Sequence, residues 1–513
     1  DVRENGWLFV AAKRRFVGLD GLKGIALIAI VLYHCDELSL QGGFFGVDVF
    51  FTISGFLIFS SLLNRIDSGK GLELGEYFLK RFRRIYPALF ALIPISVTLA
   101  WLVNRDMLVG IRNQIMTVLL GCYNWYAISS GASYFSQMNP DIFRHLWFMS
   151  LLMQFYLIAP FVVLLLRKII IRWAPVCILT ALAGASAVSM GLLYHSGADP
   201  TRVYFGTDTH AMGPALAWIL PILRHEHGRA NESRIMERFH KIWIQFGPIV
   251  AFGSLLALLW MMRHITQGPA AFHGGIFVAS VLAVMLIAGT IPFGSWMQDL
   301  LVFKPLAALG HYSYGIYLWH WPLWLLLRSL LPQWGAWHAD RLLSFTFILT
   351  VLFAFASWRL FEKPVARAGF IALIRPISGD EAEHCGRLIS TVVVLACSWS
   401  FCGYAVATAS EQTSVAQSLG ISARLLQQRN HAALERRRTP MPRKPRHKMP
   451  DGSQMAAIGD SVMLASSKGL QDTFPNIIVD AEVSRSMAKG QGLVDQLKAQ
   501  GNLRPWVLVG LAT

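Results

Sequence analysis

Long apolar runs recur along this chain, and their length limits its possible folds more than any other feature. A helix needs about 20 mostly apolar residues to cross the hydrocarbon core of a bilayer. The runs that approach this length lie near 17–35, 44–63, 85–103, 145–166, 173–194, 206–223, 243–262, 272–292, 308–330, 342–361 and 388–409. The stretch 111–129 is shorter and is interrupted by Asn and Gly, so we expect a re-entrant or interfacial segment there. The pattern predicts an all-α multi-pass membrane bundle of about ten helices plus one linking helix.

The composition argues against a soluble nucleic-acid-binding protein. Hydrophobic residues make up 54% and charged residues 15% of the 513 residues, whereas soluble domains contain about 45–50% and about 25%. The 46 Lys and Arg exceed the 30 Asp and Glu, which gives a net charge of +16. A nucleic-acid binder gathers such charge on one soluble face, but here most of it falls between apolar runs. We therefore expect a lipid bilayer, and no nucleic acid, among the partners.

The cations of the loops predict the orientation of the chain. Cytoplasmic loops of membrane proteins are enriched in Lys and Arg, and cation-rich and cation-poor loops alternate along this sequence. The rich loops contain Lys13, Arg14 and Arg15; Arg65, Lys70, Lys80, Arg81, Arg83 and Arg84; Arg167, Lys168 and Arg172; Arg224, Arg229, Arg234, Arg238 and Lys241; and Lys363, Arg367 and Arg375. This pattern predicts a cytoplasmic N-terminus and an extracytoplasmic region after the eleventh run.

The sequence changes character along its length, and we divide it into four parts. Residues 1–375 are predicted to form the main membrane domain, and 376–410 an additional transmembrane helix. Residues 411–454 are basic and rich in Pro and Arg, which is typical of a solvated linker. That linker is either a plain spacer or a segment attracted to anionic wall polymer or lipid headgroups. Residues 455–513 alternate three apolar strands with two helical segments, which predicts the start of an α/β domain with a parallel sheet. An Asp at the start and a buried strand at the end lead us to expect a fragment at both ends.

Polar side chains in the first two runs are the strongest candidates for function. A charged residue inside a membrane span costs roughly 2.5–3.5 kcal/mol on insertion scales, so it needs a reason to be there. The first run carries Asp20, Lys23 and His34, and the second carries Asp48 and Ser54. Lys23 lies about 16 Å below His34 on a helix, so it could hold an anionic donor while the imidazole does proton chemistry and Asp48 orients that ring. Alternatively, Lys23 extends to the interface, His34 sits at the other interface and Asp48 forms a structural pair.

Two further clusters and the cysteines complete the candidates. Lys80, Arg81, Arg83 and Arg84 suit a phosphate-rich ligand such as coenzyme A, although cytoplasmic topology would also place cations there. The segment 310–322 gathers Tyr, Trp and two His, and an interfacial aromatic belt explains its rings but not His320. Two of the six cysteines, Cys35 and Cys122, could pair, but isolated thiols of apolar helices are the more usual case. No Cys/His spacing typical of a metal site occurs, so no metal is expected.

Seven segments together resemble the membrane acyltransferase-3 family. They are GLDGLKGIALIAIVLYH, GGFFGVDVFFTISGFLI, RFRRIYPAL, HLWFMSLLMQFYLIAP, YFGTDTHAMG, YSYGIYLWHWP and RLFEKP, in the family's order over residues 16–365. The tail, with IGDSVMLA followed by FPNIIVDAEVSRSM, resembles the beginning of a flavodoxin-like SGNH hydrolase domain. This combination is particularly similar to the peptidoglycan O-acetyltransferases of Gram-positive bacteria.

The resemblance implies an enzyme of the bacterial plasma membrane with acetyl-CoA as its acyl donor. Cytosolic acetyl-CoA would dock near Arg81 and Arg84, which match the family's Arg-x-x-Arg, and His34 would match its catalytic histidine. Ser461 matches the SGNH nucleophile, which would pass the acetyl group to a sugar hydroxyl, with C6 of muramic acid as the expected acceptor. The accompanying candidates are Lys80 and Arg83 for the donor, and Asp20, Ser54, Tyr156, His210, Tyr314, His320, Glu362 and Lys363 in the membrane site.

The sequence departs from the family pattern at several positions. Lys23 stands where the family has Arg, which keeps the charge but loses the bidentate fork. Leu152 and Met153 stand near a position where the family often has Glu, and His210 stands for the usual Arg. The SGNH Asn-Gly and Asp-x-x-His patterns are not found before the last residue, Thr513. His34 falls toward the outer end of its run, so the implied mechanism also requires an inward-open cavity that reaches it.

Other functions remain open at the level of sequence. Within the enzyme class, the acceptor could be another surface polysaccharide, a lipid-linked glycan or a secreted small molecule. A transporter or polysaccharide exporter is the alternative from a different class. Transporters often show paired halves with broken helices at matching positions, and we find no such repeat.

Overall fold

The computed structural model describes residues 16–35, 40–69, 71–131, 141–227, 234–292, 294–370, 381–411, 450–481, 485 and 487–511. The chain divides into two compact units, Asp1–Leu419 and Gly420–Thr513. The first unit is helical, and the second contains a small sheet.

The helices of the first unit follow the apolar runs. They are α1 (Leu19–Cys35), α2 (Phe45–Asp67), α3 (Leu74–Val103), α4 (Ile111–Leu119), α5 (Tyr123–Ser130), α6 (Trp147–Arg167), α7 (Ala174–Leu193), α8 (Thr201–Phe205), α9 (Met212–His227), α10 (Arg234–His264), α11 (Ile276–Thr290), α12 (Trp296–Leu301), α13 (Lys304–His311), α14 (Ser313–Leu330), α15 (Pro332–Trp337), α16 (Ala339–Ser357), α17 (Lys363–Ala368) and α18 (Glu381–Thr408). Short 3-10 turns precede α4 and α6, and π-helical turns precede α11 and α17. Among the described residues, each of the eleven predicted runs contains a helix.

Seven helical stretches of the described chain are long and apolar enough to cross a membrane, and they include α2, α3, α6, α7, α10, α11 and α16. The other four predicted runs give shorter or more polar helices. α1 has 17 residues, and the apolar parts of α9 and α18 are Met212–Arg224 and Val392–Thr408. The segment 111–129 forms the two short helices α4 and α5, as expected for a segment that does not span. The predicted membrane helical bundle is confirmed.

Burial separates central helices from peripheral ones. In α2, 83% of the apolar 18-residue stretch that could span a membrane is buried inside the protein. The corresponding share is 33% in α10 and 22% in both α7 and α16. The exposed residues of α10 are themselves apolar, as in Phe246 and Ile249. In an apolar solvent such as a bilayer, exposed hydrophobic faces of this kind are expected.

Small residues bring α1 into direct contact with its neighbours. A Cβ on Gly310 of α13 would overlap the carbonyl oxygen of Asp20, and a Cβ on Gly43 would overlap the carbonyl oxygen of Ala29. The start of α1 is therefore fixed against α13 by backbone contact.

The second unit has the predicted βαβαβ order. Its elements are β1 (Met455–Gly459), α19 (Ser461–Thr473), β2 (Ile478–Ala481), α20 (Gly490–Ala499) and β3 (Trp506–Gly510). The three strands form a parallel sheet of order β2-β1-β3. Ala457 pairs with Val479 on one side and Leu508 on the other. Asp460 caps α19, because its Oδ1 accepts a hydrogen bond of 2.9 Å from the backbone N–H of Val462. The predicted linker lies almost entirely outside the described residues, which leave out 412–449.

Candidate functional site

The cations predicted to bind a donor surround a cavity at one end of the bundle. The cavity has a volume of about 540 Å³ and is lined by residues of α1, α2, α3, α13, α14 and α17. Its charged lining residues are Lys23, Lys80, Arg83, Arg84 and Lys363, with Asp20 and Glu362 as the carboxylates. We call it the donor cavity. Cations outnumber carboxylates in its wall, so it favours an anionic ligand.

Internal contacts hold the walls of the donor cavity in place. Lys23 Nζ lies 3.3 Å from Asp20 Oδ1, and Ser357 Oγ donates a hydrogen bond of 3.2 Å to Glu362 Oε1. Lys363 Nζ lies 4.9 Å from the centre of the Trp358 ring. The sequence thus identified the charged residues of the wall, but not their pairing.

Two tyrosine candidates lie near this cavity in different roles. Tyr314 lines it, and its hydroxyl donates a 2.7 Å hydrogen bond to the carbonyl of Ile85. Tyr156 is buried and is not among the lining residues; the hydroxyl of Tyr77 donates to its carbonyl over 3.0 Å.

Arg81 departs from the arrangement predicted for the basic cluster. It is not among the lining residues of the donor cavity. Its guanidinium carbon lies 5.1 Å from the centre of the Tyr77 ring and 5.2 Å from that of Tyr156. The structure therefore gives Arg81 an aromatic environment, and Lys80, Arg83 and Arg84 are the members of the basic cluster that line the cavity.

Histidines from three parts of the chain meet near the other end of α1. His34 Nδ1 lies 2.8 Å from Nε2 of His320 on α14. His320 Nδ1 lies 2.5 Å from the carbonyl oxygen of Tyr317. His145, from the turn before α6, is buried with its ring centre 5.6 Å from that of His320. We call these three residues the histidine cluster.

The hydrogen bonds of the histidine cluster define the proton positions in its neutral form. A carbonyl oxygen only accepts, so His320 Nδ1 carries the proton and its Nε2 is an acceptor. His34 Nδ1 must then donate to His320, which leaves the lone pair of the neutral His34 ring on Nε2. In this arrangement His34 presents Nε2 as the proton-accepting nitrogen of its neutral ring.

His145 is the member of this cluster that the sequence did not suggest. Its Nε2 lies 3.0 Å from the carbonyl oxygen of Leu318, and its backbone carbonyl accepts a hydrogen bond of 2.5 Å from Tyr317. Its Nδ1 is buried and has no hydrogen-bond partner among the described residues. In the sequence, His145 lies just before an apolar run, and no spacing relates it to His34 or His320. Its proximity to them is therefore seen only in the folded structure.

Asp48 does not orient His34, which corrects the prediction. Its Oδ1 lies 3.5 Å from His210 Nε2, and both side chains are buried. That distance is within ion-pair range, but the pair lacks hydrogen-bond geometry, and Asp48 Oδ2 has no hydrogen-bond partner in the part of the chain that the structure describes. Aromatic rings of Phe51, Trp147 and Tyr204 surround the imidazole of His210. His320 takes the orienting role that we expected of Asp48.

The donor cavity does not reach the histidine cluster. Its lining on α1 includes Leu19, Asp20 and Lys23, but not His34, which lies about 16 Å further along the helix axis. The expected inward-open cavity at His34 is therefore not this one. His34 is half-buried, and the ring of Trp321 lies with its centre 5.2 Å away.

A polar network beyond His34 holds Trp321 in place. Trp321 Nε1 donates a hydrogen bond of 2.9 Å to the backbone carbonyl of Asp141, whose carboxylate accepts one of 3.0 Å from Tyr123. Burial raises the pKa of Asp141, although the Tyr123 hydrogen bond and the Arg144 charge favour its ionised form. This network fixes the environment on that side of His34.

The remaining candidates take separate positions. Ser54 is half-buried on α2. Ser461 begins α19 directly after β1, but its side chain lies outside the described part, so its role as a nucleophile stays a prediction. Within the described part of the chain Cys122 is a free thiol, so the possible pair of Cys35 with Cys122 is not formed. Within the described ranges, no three His, Cys, Asp or Glu side chains are arranged to hold a metal ion.

Comparison with known proteins gives one family and several relatives. The model of the acyltransferase domain family matches residues 16–359. YrhL of Bacillus subtilis is 28% identical over 554 aligned positions, which cover 98% of this chain and 84% of YrhL. The peptidoglycan O-acetyltransferase OatA of Listeria monocytogenes is 33% identical over 372 positions, covering 70% of this chain and 57% of OatA. The O-acetyltransferase OatA of Staphylococcus aureus is 31% identical over 370 positions, covering 70% and 58%. The chain thus spans little more than half the length of either OatA.

Proposed function

Because the chain belongs to the acyltransferase-3 family, we propose that it is a membrane O-acetyltransferase that acts on an extracytoplasmic glycan. Its donor is acetyl-CoA from the cytosol, and its acceptor is a hydroxyl of peptidoglycan, with C6 of muramic acid as the expected position. The names of the two OatA relatives support O-acetyl transfer, and that from Listeria supports peptidoglycan as the acceptor.

The cationic donor cavity is the observation that carries this proposal. Coenzyme A presents several phosphates, and guanidinium and ammonium groups are the usual protein partners of phosphate. The volume of about 540 Å³ falls within the range of about 300–1,000 Å³ that is usual for ligand pockets. Arg83, Arg84 and Lys80 would bind the phosphates, and Lys23 would lie deeper along the path of the acyl arm.

The charge pattern of the loops supports cytosolic entry of the donor. The cavity lies at the end of the bundle that carries the basic segments around Lys80 and Lys363, and such segments favour the cytoplasmic side. Coenzyme A is too highly charged to cross about 30 Å of hydrocarbon, whereas a neutral acetyl group is not. The N-terminus is then cytoplasmic, and the region after α18 is extracytoplasmic.

His34 is the general base of the proposed transfer. Its Nε2 takes the proton of the attacking hydroxyl while the hydroxyl oxygen bonds to the acetyl carbon. The carbon–sulfur bond of the thioester breaks, and the coenzyme A thiolate recovers the proton from the imidazolium. His320 stabilises that imidazolium by accepting the hydrogen bond from Nδ1. Because the donor cavity ends near Lys23, a path of about 16 Å along α1 must open to admit the pantetheine arm.

Ser461 is the hydroxyl that relays the acetyl group in this scheme. A serine ester divides one transfer into two easier steps, and β1 places Ser461 at the end of a parallel strand, where active sites of such sheets form. The acetyl ester would then pass to the glycan hydroxyl.

Membrane vesicles that contain the protein and labelled acetyl-CoA test the proposal. We expect thioester consumption and a labelled protein or glycan, and we expect His34→Ala to reduce the rate about 10²–10⁴-fold. The exposed His195 provides the matched control, since His195→Ala removes an imidazole outside the cluster. A His34→Ala protein that turns over like the parent would exclude His34 as the base.

A second variant tests the relay. Ser461→Ala removes the hydroxyl that accepts the acetyl group, so both thioester consumption and transfer of label to muropeptide acceptors should fall. Equal transfer to muropeptides by the Ser461→Ala protein would remove the serine from the scheme.

A further inference from the structure

A second cavity lies between α9, α10 and α11 and shares no lining residue with the donor cavity. Its volume is about 410 Å³, and its wall is almost entirely apolar, with Leu216, Leu220, Val281 and Val284 among its residues. Met285 lines it and is also 39% exposed, so the cavity opens at the surface of the bundle. We call it the lateral groove.

The lateral groove faces the region of the surface that would contact hydrocarbon. Phe246 and Ile249, on the adjoining stretch of α10, are 50% and 58% exposed. α10 and α11 contact each other tightly, because a Cβ on Gly289 would overlap the carbonyl oxygen of Gly247. The groove is therefore a recess beside two closely packed helices, and it is accessible from the apolar solvent.

One end of the groove is polar and basic. Arg224, near the end of α9, and His240, near the start of α10, both line it. Trp243 also lines it, and its Nε1 donates a hydrogen bond of 3.1 Å to the carbonyl of Ala288. The cationic end lies where α9 ends and α10 begins, and the cations of this part of the sequence, Arg224, Arg229, Arg234, Arg238 and Lys241, predict the cytoplasmic side.

We propose that the lateral groove binds an anionic phospholipid, with one acyl chain in the apolar recess and the phosphate at Arg224. An acyl chain is the ligand that the surrounding bilayer supplies to a groove of this composition. A guanidinium pairs with phosphate through charge-assisted hydrogen bonds, and a net negative headgroup is attracted further by neighbouring basic residues. A zwitterionic headgroup lacks that net charge and binds less tightly.

The position of Arg224 connects this lipid to the donor cavity. Its guanidinium carbon lies 5.3 Å from the centre of the Phe16 ring, and Phe16 lines the donor cavity. The aromatic side chain is thus part of the wall between the two cavities. A phosphate bound at Arg224 would act on that wall without entering the donor cavity.

Lipid binding to the purified, delipidated full chain tests the proposal without relying on acetyl transfer. Native mass spectrometry with phosphatidylglycerol and phosphatidylcholine of matched chains should give about tenfold tighter binding of phosphatidylglycerol. Arg224→Gln should abolish this preference, and Arg224→Lys should retain part of it. Equal affinity of the parent protein for the two lipids would overturn the proposal.

Filling the groove tests the place of the acyl chain. Val284→Trp and Met285→Trp should each weaken binding of both lipids at least about fivefold, whereas Ile249→Trp, outside the groove, should not. The melting temperature in detergent without lipid identifies any variant that fails to fold, and two groove variants guard against that outcome. Unchanged phosphatidylglycerol binding in a folded Trp variant would place the lipid elsewhere.

Discussion

The two ends of α1 differ in how they are built, although they belong to one helix of 17 residues. Near Lys23, five cationic and two acidic side chains line an open cavity. Near His34, a carbonyl, His320 and His34 form a single line of hydrogen bonds with one proton arrangement. Binding of an anion tolerates variation in geometry, whereas proton transfer does not. We therefore expect substitutions near His34 to reduce kcat, and those near Lys23 to raise KM.

After substitution of His34 itself, the largest effect is expected from His320→Phe. The substitution keeps an aromatic ring but removes the acceptor for His34 Nδ1, so His34 loses both its orientation and the stabilisation of its imidazolium. We expect kcat to fall about 100-fold with little change in the KM for acetyl-CoA. Steady-state kinetics in vesicles measure both constants. His320→Gln, whose carbonyl can accept the same hydrogen bond, should recover part of the rate; no recovery would indicate a purely structural role.

Lys23→Gln changes the other end of α1 and should affect KM rather than kcat. Lys23 is 16% exposed, so its contact with an anionic donor is only partly screened by water. We expect the KM for acetyl-CoA to rise about tenfold while kcat changes little. Lys23→Arg is the matched control, because it keeps the charge and adds a second donor group. A loss confined to kcat would contradict the division of α1 into binding and chemical ends.

A double-mutant cycle on Asp48 tests which histidine it interacts with. Asp48→Ala and His210→Ala should be non-additive by about 1 kcal/mol in the free energy of unfolding, because the two buried groups face each other. The cycle of Asp48→Ala with His34→Ala should be additive within about 0.5 kcal/mol. Thermal unfolding in detergent measures both cycles. A larger coupling with His34 would restore the arrangement expected from the sequence.

The smallest effect is expected from Arg84→Gln. Arg84 lines the donor cavity but is exposed, so its contribution to phosphate binding is screened by water and salt. We expect a rise in KM of about threefold at low salt that largely disappears as the ionic strength increases. Arg81→Gln is the comparison within the same cluster, since Arg81 lies against Tyr77 and Tyr156. Equal salt-dependent effects of the two variants would contradict the assignment of Arg81 to an aromatic environment.

The sequence was sufficient for much of the fold, because bilayer thickness imposes one length on every crossing helix. The family, the membrane bundle and the acyltransferase class predicted from the motifs are confirmed. The parallel sheet of the tail also followed from alternating apolar strands and helices.

Pairings across the site could not be predicted in the same way. His34 and His320 are 286 residues apart, and no local spacing relates them. The sequence does not tell whether Asp48 faces His34 or His210. The packing of α2 against the segment before α9 brings it to His210. His145 carried no signal, since its role depends on a turn that places it against α14.

The backbone contact between Gly310 and Asp20 constrains how the enzyme could ever open. No side chain lies between the first turn of α1 and the end of α13, so their backbones are in direct contact. Separating them would lose this close packing, and the contact also prevents the two helices from sliding past one another. The helix that carries both Lys23 and His34 is thus a fixed element of the bundle. In the proposed transfer, a path from Lys23 to His34 would therefore have to open through movement of the elements that face α1 and not of α1 itself.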